Sequence, residues 1–568
     1  MKKTAIIFLF SFFCVSSSFA QYTKLHDFDS ISGKQPMFGS LLLNGSFLYG
    51  VTQYGGVNNK GVIFAIRPDG TGYSKLYDFD SINGFRPMGS LVSDGVFLYG
   101  MTTYGGTNNS GTIFKIAFNG SGYSVLHHFG SINDGGFGQG SLIYDGSFLY
   151  GMTVSGGLYG FGSIFKIKSD GTGYSILFNF DEVSGSNPMG SLIFDGSFLY
   201  GMTYMGGSNL STCGAGCGVI FKIKPDGTSF SVLLDFGSTN ANKPYGSLIS
   251  DGTFLYGMTS NDDTDLNGVV FRLKPDGAQY QEICSMLYNT TGRNPAGSLY
   301  TDGSYLYGMA AFGGTIPGSQ GTLFEIKKDG HNPKQLINFL GVNGAWPNGS
   351  LISDGIYLYG MTTEGGQNNK GIIFKNCLAR YKTSYDSTQN IFTLNVDSSV
   401  TASAVNYEWD FGDGSFSSLA TPTHLYSQDS IYNVCMKIYL ASGDSCNYCN
   451  LIGKDSLGET VRNEGFTLNV VNTDSPTNIP QIFSSDILIS LYPNPSNGNI
   501  TLSYDLEENE NAIITLYDVT GKLLDKVILN PNLTSMSLNK TYFKAGLYYY
   551  CISVNGKKVK TEKLVIIK

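Results

Sequence analysis

Up to residue 376, apolar residues come in short runs, and turn residues close each run. The stretch Gly89–Phe129, GSLVSDGVFLYGMTTYGGTNNSGTIFKIAFNGSGYSVLHHF, shows the pattern once in full. Gly-Ser-Leu opens a first strand that ends at Asp94-Gly95, a pair that accepts the positive φ angles of a two-residue hairpin. Phe97-Leu98-Tyr99-Gly100-Met101-Thr102 is the returning strand. A polar Gly-Gly loop follows, then a third strand at Thr112–Ile116, a second tight turn and a fourth strand of the form Tyr-Ser-x-Leu-x-x-Phe. The second and third strands are apolar on both faces, which suits a sheet covered on both sides.

The unit recurs seven times. Its Gly-Ser-Leu opening stands at Gly39, Gly89, Gly140, Gly190, Gly246, Gly297 and Gly349, at steps of 50, 51, 50, 56, 51 and 52 residues. Self-similarity at this spacing means stacked supersecondary units, and about 40–50 residues is the period of a four-stranded propeller blade. A flat β-solenoid is the alternative, although its coils are usually shorter. Repeat seven stops after Gly371–Lys375 and lacks its fourth strand, while the missing pattern stands near the beginning as Tyr22–Phe28. The expectation is an all-β chain whose seven-bladed β-propeller, residues 21–376, is closed by that N-terminal strand. Gly50, Gly100 and their equivalents weaken the second strand. Their repetition implies close approach of another backbone or of a neighbouring blade.

Residues 1–20 combine Lys2 and Lys3, an apolar run and Ser18-Phe19-Ala20, the pattern of a secretory signal cleaved after Ala20. No later stretch has the ~18 consecutive apolar residues of a membrane span. A net charge of −8 argues against nucleic acid as a partner. Eight of the nine cysteines lie beyond Ala20, an even number that suits disulfides in an oxidising compartment. Cys213 and Cys217, in the longer loop of repeat four, are a disulfide candidate rather than a zinc pair, because no second ligand pair is in sight.

A different module begins at Cys377. Its marks are Tyr407-Glu408-Trp409-Asp410-Phe411-Gly412-Asp413-Gly414, then Pro422–Tyr426, then Tyr432–Cys435. Residues 377–471 resemble the PKD domain, which implies an immunoglobulin-like β-sandwich. Pairing among Cys377, Cys435, Cys446 and Cys449 stays open. Asp410 and Asp413 fit Asp-Gly turn formation better than calcium binding. Residues 472–486 read as a linker. Residues 487–568 carry Leu491–Gly498, Leu516–Lys522 and Ala545–Tyr548 and resemble the type A C-terminal sorting domain of type IX secretion cargo. That resemblance implies a second β-sandwich module, passage through the type IX machinery, and a secreted or outer-membrane cell-surface location.

The repeat itself, with its Leu-Tyr-Gly-Met-Thr, Gly-Gly, Ile-Phe-Lys-Ile and Asp-Gly-Thr-Gly-Tyr segments, resembles the GloVer-type tandem repeat and is kelch-like in its Gly-Gly after the second strand. Neither resemblance supplies a catalytic residue. No zinc-protease helix motif and no nucleophile elbow occurs. Many carboxylates occupy the repeated Asp-Gly turns.

Strand alternation puts the Asp-Gly turns on one side and the variable loops on the other, and variable loops on a rigid scaffold are the usual place for recognition. Tyr54, Tyr104, Tyr159 and Tyr204 are the candidate ligand-binding residues there, with packing between blades as the alternative. Asp262, Asp263 and Asp265 form an oxygen-rich loop that suits calcium, against a solvated acidic loop. No other cofactor is implied. The expected function is a non-catalytic binding or adhesion protein that recognises an extracellular glycan or surface protein. A glycosidase or lyase acting on extracellular polysaccharide is the alternative.

Overall fold

Each repeat of the sequence contributes to one four-stranded antiparallel sheet in the computed structural model. The structure describes residues 22–462 apart from short internal stretches, and little more than the strands between 489 and 566. The signal segment 1–20 lies outside the described residues. In the first sheet the strands are Leu42–Asn44, Phe47–Thr52, Val62–Ile66 and Ser74–Asp78. Six sheets take all four strands from consecutive chain; the seventh does not. It joins Ile352–Ser353, Tyr357–Thr362 and Ile372–Cys377 to the N-terminal strand Tyr22–Asp27, which pairs antiparallel with Ile372–Cys377 in the register Tyr22↔Asn376 to Asp27↔Ile372.

The hydrophobic pattern explains why the second and third strands are central. Phe47–Thr52 and Val62–Ile66 are buried along nearly their whole length, on both faces. Each sheet is therefore covered on both sides. The Asp-Gly turns do the predicted work: Asp94 Oδ1 accepts the N–H groups of Val96 and Phe97 at 2.8 Å. Its other oxygen accepts the Tyr99 hydroxyl at 2.7 Å, and the same tie recurs from Tyr150, Tyr200, Tyr256, Tyr307 and Tyr359 to the turn aspartate of each repeat. A buried tyrosine of the second strand thus pins its own hairpin.

Two kinds of glycine separate here. A Cβ on Gly201 would lie 2.6 Å from Cζ of Phe221, the cross-strand partner in the third strand, and 3.1 Å from Leu192. The glycine inside the second strand therefore makes room for a phenylalanine ring of its own sheet, not for a neighbouring blade or another backbone. Backbone approach occurs instead at the Gly-Ser opening. A Cβ on Gly39 would meet Gly89 at 2.9 Å, and those on Gly89, Gly140, Gly190, Gly246 and Gly297 would each meet the next glycine in the series still closer. Gly349 meets Gly39 at 2.6 Å, so the order of contacts is cyclic.

The serines repeat the cycle. Ser40 N–H donates to Ser90 Oγ at 2.7 Å, and each following serine donates to the next as far as Ser298 to Ser350. Ser350 N–H then donates to the Gly39 carbonyl at 3.3 Å. Outer strands of neighbouring sheets meet through stacked rings, Tyr77 on Tyr123 at 3.8 Å and Phe178 on Phe230 at 3.7 Å. His26 and His127 are strand residues of this kind, stacked on Tyr73 and Tyr174.

Beyond Cys377 lie a three-stranded sheet (Tyr381–Asp386, Ile391–Val396, Thr423–Leu425) and a five-stranded one built on Ala404–Asp410, Ile431–Leu440 and Ser445–Lys454. Ile431–Leu440 alternates buried and solvent-facing positions, the signature of a sheet with one face on a core. Trp409 is fully buried there and donates to the Leu419 carbonyl at 2.8 Å. The four cysteines pair as Cys377–Cys446 and Cys435–Cys449. Asp410 and Asp413 serve their turns by accepting N–H groups of Gly412 and Ser415, and His424 bonds Asp413.

This module meets the repeats on their turn side. Leu378 N–H donates to Ile356 O, Lys375 pairs with Asp444 at 2.7 Å, and buried Arg380 reaches Glu325 and the Tyr307 hydroxyl. Residues 471–568 form a separate compact unit with two antiparallel sheets, one of three strands and one of four. The linker 472–486 lies outside the described residues.

Candidate functional site: the variable-loop side

On the side opposite the Asp-Gly turns, the described connections from a fourth strand to the next repeat share several features. Aspartate turns begin three of them: Asp29 accepts from Ile31 and Ser32 N–H, Asp80 from Ile82 and Asn83, and Asp181 from Ser184. A bridge to the repeat's own Gly-Gly loop follows, as in Lys34↔Tyr54, Phe85↔Tyr104 and Arg293↔Phe312. The next residue then adopts a left-handed backbone in all seven repeats: Gln35, Arg86, Phe137, Asn187, Lys243, Asn294 and Trp346, with φ between 53° and 58°.

None of the seven is glycine, and left-handed backbone costs a residue with a Cβ about 1–2 kcal/mol. Hydrogen bonds to two repeats hold the conformation. Arg86 N–H donates to Lys60 O of repeat one at 3.0 Å, and its carbonyl accepts from Thr103 of repeat two at 3.2 Å. Strain of this kind, repeated at one position with changing side chains, is a feature of sites where position matters more than local comfort.

Rings and cations line this belt. The Arg86 guanidinium lies 4.6 Å from the Tyr54 ring and 5.4 Å from Tyr104, while Lys60 lies 4.1 Å from Phe85, which stacks on Tyr104 at 5.5 Å. Arg293 sits over Tyr288 at 5.0 Å and Phe312 at 5.9 Å, and Lys243 over Tyr204 at 6.0 Å. Trp346 and Phe312 are each 40% exposed, and their centroids are 6.1 Å apart.

The four predicted tyrosines do not share one position. Tyr54 and Tyr104 are equivalent and half-buried within the belt. Tyr159 stands further out on its loop and is 56% exposed. Tyr204 falls one residue earlier in the repeat and packs edge-on against Tyr245 at 5.6 Å, with burial raising its hydroxyl pKa. Tyr245 in turn meets Phe38 at 4.7 Å. Phe38 and Tyr245 belong to repeats one and five, so their contact joins two repeats that are not neighbours in the cyclic order. Phe38 is the residue by which repeat one exceeds the others between its left-handed position and Gly-Ser.

Sequence reasoning passed over Arg86, Phe85, Lys60, Arg293 and Trp346. The available signal for Arg86 and Trp346 was the position before Pro36, Pro87, Pro188, Pro244, Pro295 and Pro347, which holds five residue types in six repeats while the proline stays constant.

Cys213 and Cys217 are joined by a disulfide in the repeat-four loop. Asp262, Asp263 and Asp265 lie outside the described residues, and among the described residues no group of three or more His, Cys, Asp or Glu is placed to hold a metal ion. Cys284 is unpaired, so the even cysteine count does not mean complete pairing, and burial pushes its thiol up to about 11. A cleft of about 600 Å³ runs between the outer edge of repeats six and seven and the following module, with Tyr22, Leu336, Val342, Asn376, Asn447 and Tyr448 among its walls.

Three family descriptions match the chain. The Gloeobacter/Verrucomicrobia repeat matches residues 11–148, 133–288 and 211–407. The PKD domain matches 379–451, and the secretion system C-terminal sorting domain matches 490–568. Among solved structures, the PKD1 domain of the Vibrio cholerae metalloprotease PrtV is 29% identical over 14% of this chain and 95% of its own, with a TM-score of 0.13. The extracellular domain of a putative one-component system from B. thetaiotaomicron is 11% identical over 97% of this chain and 98% of its own, with a TM-score of 0.31. A Niastella koreensis GH74 enzyme is 13% identical over 75% and 76%, with a TM-score of 0.28. At these scores the structural likenesses carry no argument.

The sorting domain marks a chain handled by the type IX secretion machinery and secreted or displayed at the cell surface. Among the described residues no helix is long and apolar enough to cross a membrane. By its repeats, which account for residues 11–407, the chain belongs to the Gloeobacter/Verrucomicrobia repeat family.

Proposed function

We propose that the seven sheets are the blades of a closed seven-bladed propeller spanning residues 21–376, followed by two β-sandwich modules at 377–471 and 487–568, and that the propeller is a non-catalytic binding or adhesion device. The cyclic series of glycine and serine contacts, returning from Gly349 and Ser350 to Gly39, supports the closed ring. One observation carries the binding role: a left-handed residue at the same place in all seven repeats, six different residue types among the seven, with Arg86 bracketed by aromatic rings. A scaffold that repeats its backbone and varies its side chains at one level presents a programmable surface.

The second module supports the same side. It packs against Ile356, Tyr307 and Glu325, near the Asp-Gly turns, and its described hydrogen bonds and ion pairs reach none of the loops of repeats one and two. The ligand class is an extracellular glycan or a surface protein.

A glycan array probed with the full chain tests this, alongside a Tyr54→Ala/Tyr104→Ala variant and a turn-side Asp94→Ala variant. Because one stacked sugar contributes modestly and several contacts act together, the tyrosine pair should abolish most binding. Asp94→Ala should lower stability and leave binding by the folded fraction intact. Binding that survives the tyrosine changes and disappears with Asp94→Ala refutes the assignment of the recognition side.

A further inference from the structure

We infer that the loop side of repeats one and two is a site for an acidic polysaccharide, one that carries carboxylate or sulfate groups along its length; this rests on the loop-side binding reading above. Six residues build the patch: Lys34, Tyr54, Lys60, Phe85, Arg86 and Tyr104. Their contacts are continuous. Lys34 lies 6.0 Å from the Tyr54 ring, Arg86 bridges Tyr54 and Tyr104, Phe85 stacks on Tyr104, and Lys60 caps Phe85.

The patch gathers three cations among rings in one place. The protein carries a net charge of −8, and some of its lysines pair with acids, as in Lys24–Asp27, Lys75–Asp78 and Lys328–Asp251, while others such as Lys115, Lys166 and Lys222 lie singly over a ring. Among the described residues, none of Lys34, Lys60 and Arg86 has a carboxylate within ion-pair distance; their neighbours are rings. The nearest loops do hold acids, but these are engaged. Asp29 and Asp80 bind backbone N–H groups of their own turns, Asp78 accepts from Val57 N–H, and Glu364 accepts from Gln35 Nε2 at 3.3 Å. Three half-buried cations thus lie together among rings, with no described carboxylate in ion-pair reach, on backbone that is held left-handed at Arg86 with φ 55°.

Such a group favours an anion. A guanidinium and two ammonium groups supply charge-assisted donors to carboxylate or sulfate oxygens. The interleaved rings supply apolar surface for the C–H faces of sugar rings. Positions on two successive repeats suit a ligand with charges at regular intervals rather than a single small anion. A membrane surface would need a broad basic face, which a chain of this net charge does not offer.

The test uses full-length protein in affinity electrophoresis through gels containing polygalacturonate, chondroitin sulfate, neutral dextran or poly-L-glutamate, at low and at 0.15 M salt. Retardation by polygalacturonate alone assigns the carboxylate form, by chondroitin sulfate alone the sulfate form, and by both the shared chemistry. Retardation should weaken with salt, since charges beyond about 8 Å are screened at 0.15 M. The triple variant Lys34→Gln/Lys60→Gln/Arg86→Gln should raise the dissociation constant about tenfold or more, the loss expected when charge-assisted contacts disappear. Arg86→Lys should retain part of the binding, and Arg67→Gln on the turn side should change nothing. Melting curves of each variant check folding.

No retardation by either acidic polysaccharide, equal retardation by dextran or poly-L-glutamate, or a triple variant that binds like the parent overturns the inference. Neutral-glycan binding that is lost in Tyr54→Ala/Tyr104→Ala would overturn it while leaving the loop-side reading intact. Binding abolished by Arg67→Gln alone would remove both.

Discussion

Replacing Gly201 by alanine tests the packing of a sheet at its tightest point. Gly201 sits in the strand Leu199–Thr203, opposite Phe221. The added Cβ would lie 2.6 Å from Phe221 Cζ and 3.1 Å from Leu192 Cδ2. Carbon atoms rest at about 3.5–4.0 Å, so the phenylalanine ring must withdraw by roughly 1 Å. It has little freedom to do so. Phe221 is fully buried between Phe180 at 5.3 Å and Phe230 at 5.6 Å.

Overpacking a close-packed interior costs about 1–3 kcal/mol. Alanine recovers about 0.5–1 kcal/mol of that, because glycine loses more chain entropy in a strand. The net loss expected is about 1–2 kcal/mol, a fall in Tm of a few degrees for a domain of this size. Phe221→Leu alone leaves a void and should also destabilise. The double variant should be more stable than the sum of the two losses, since each change relieves the other and contacting residues couple by about 0.5–3 kcal/mol. Near-ultraviolet circular dichroism during thermal and urea unfolding reads all three proteins. An alanine variant as stable as the parent, or a double variant that is simply additive, would refute the argument that the ring of Phe221 dictates glycine at this position.

Deleting Tyr22–Phe28 removes the fourth strand of the seventh sheet and exposes the edge of Ile372–Cys377; the shortened protein should melt earlier or aggregate, and an unchanged melting curve would show the pairing dispensable. Removing Leu491–Lys568, most of the segment matched by the sorting domain, should leave the protein in the periplasm with its repeats folded, as read by fractionation and immunoblotting; surface delivery of the truncated chain would contradict the export route. Acid should destabilise the fold between about pH 4 and pH 2, because Asp251 is held down to about 2. Burial acts to raise it, and hydrogen bonds from Phe254 and Thr253 N–H, Lys328 and Tyr256 outweigh that. A depressed carboxylate contributes its stability above its unfolded pKa and loses it as pH falls through the folded value. Asp251→Asn should therefore be less stable at pH 7 and show a shallower loss over that range; an unchanged acid profile would remove Asp251 from the account.

Much of this protein was legible from local pattern. The hairpin at each Asp-Gly, the burial of Leu-Tyr-Gly-Met-Thr on both faces and the four-strand unit follow from turn chemistry and alternation within about fifteen residues, where the causes lie close along the chain. The pairing of Tyr22–Asp27 with Ile372–Cys377 was also readable, because one repeat lacked the strand that the beginning of the chain supplied. The reason for the glycines was not. Composition says only that a side chain is unwelcome; tertiary structure decides that Gly201 yields to Phe221 of its own sheet, while Gly39 yields to the backbone of the next repeat.

The candidate site divides in the same way. Its side of the molecule followed from strand direction, and Tyr54 and Tyr104 from their place after the second strand. Arg86, Lys60 and Phe85 come from different loops, brought together by hydrogen bonds between repeats, such as Arg86 N–H to Lys60 O. Phe38 and Tyr245 meet although more than two hundred residues separate them. Contacts within a repeat are set by neighbours in sequence. Those between repeats depend on how seven sheets are placed around one another, and only the folded chain fixes that distance.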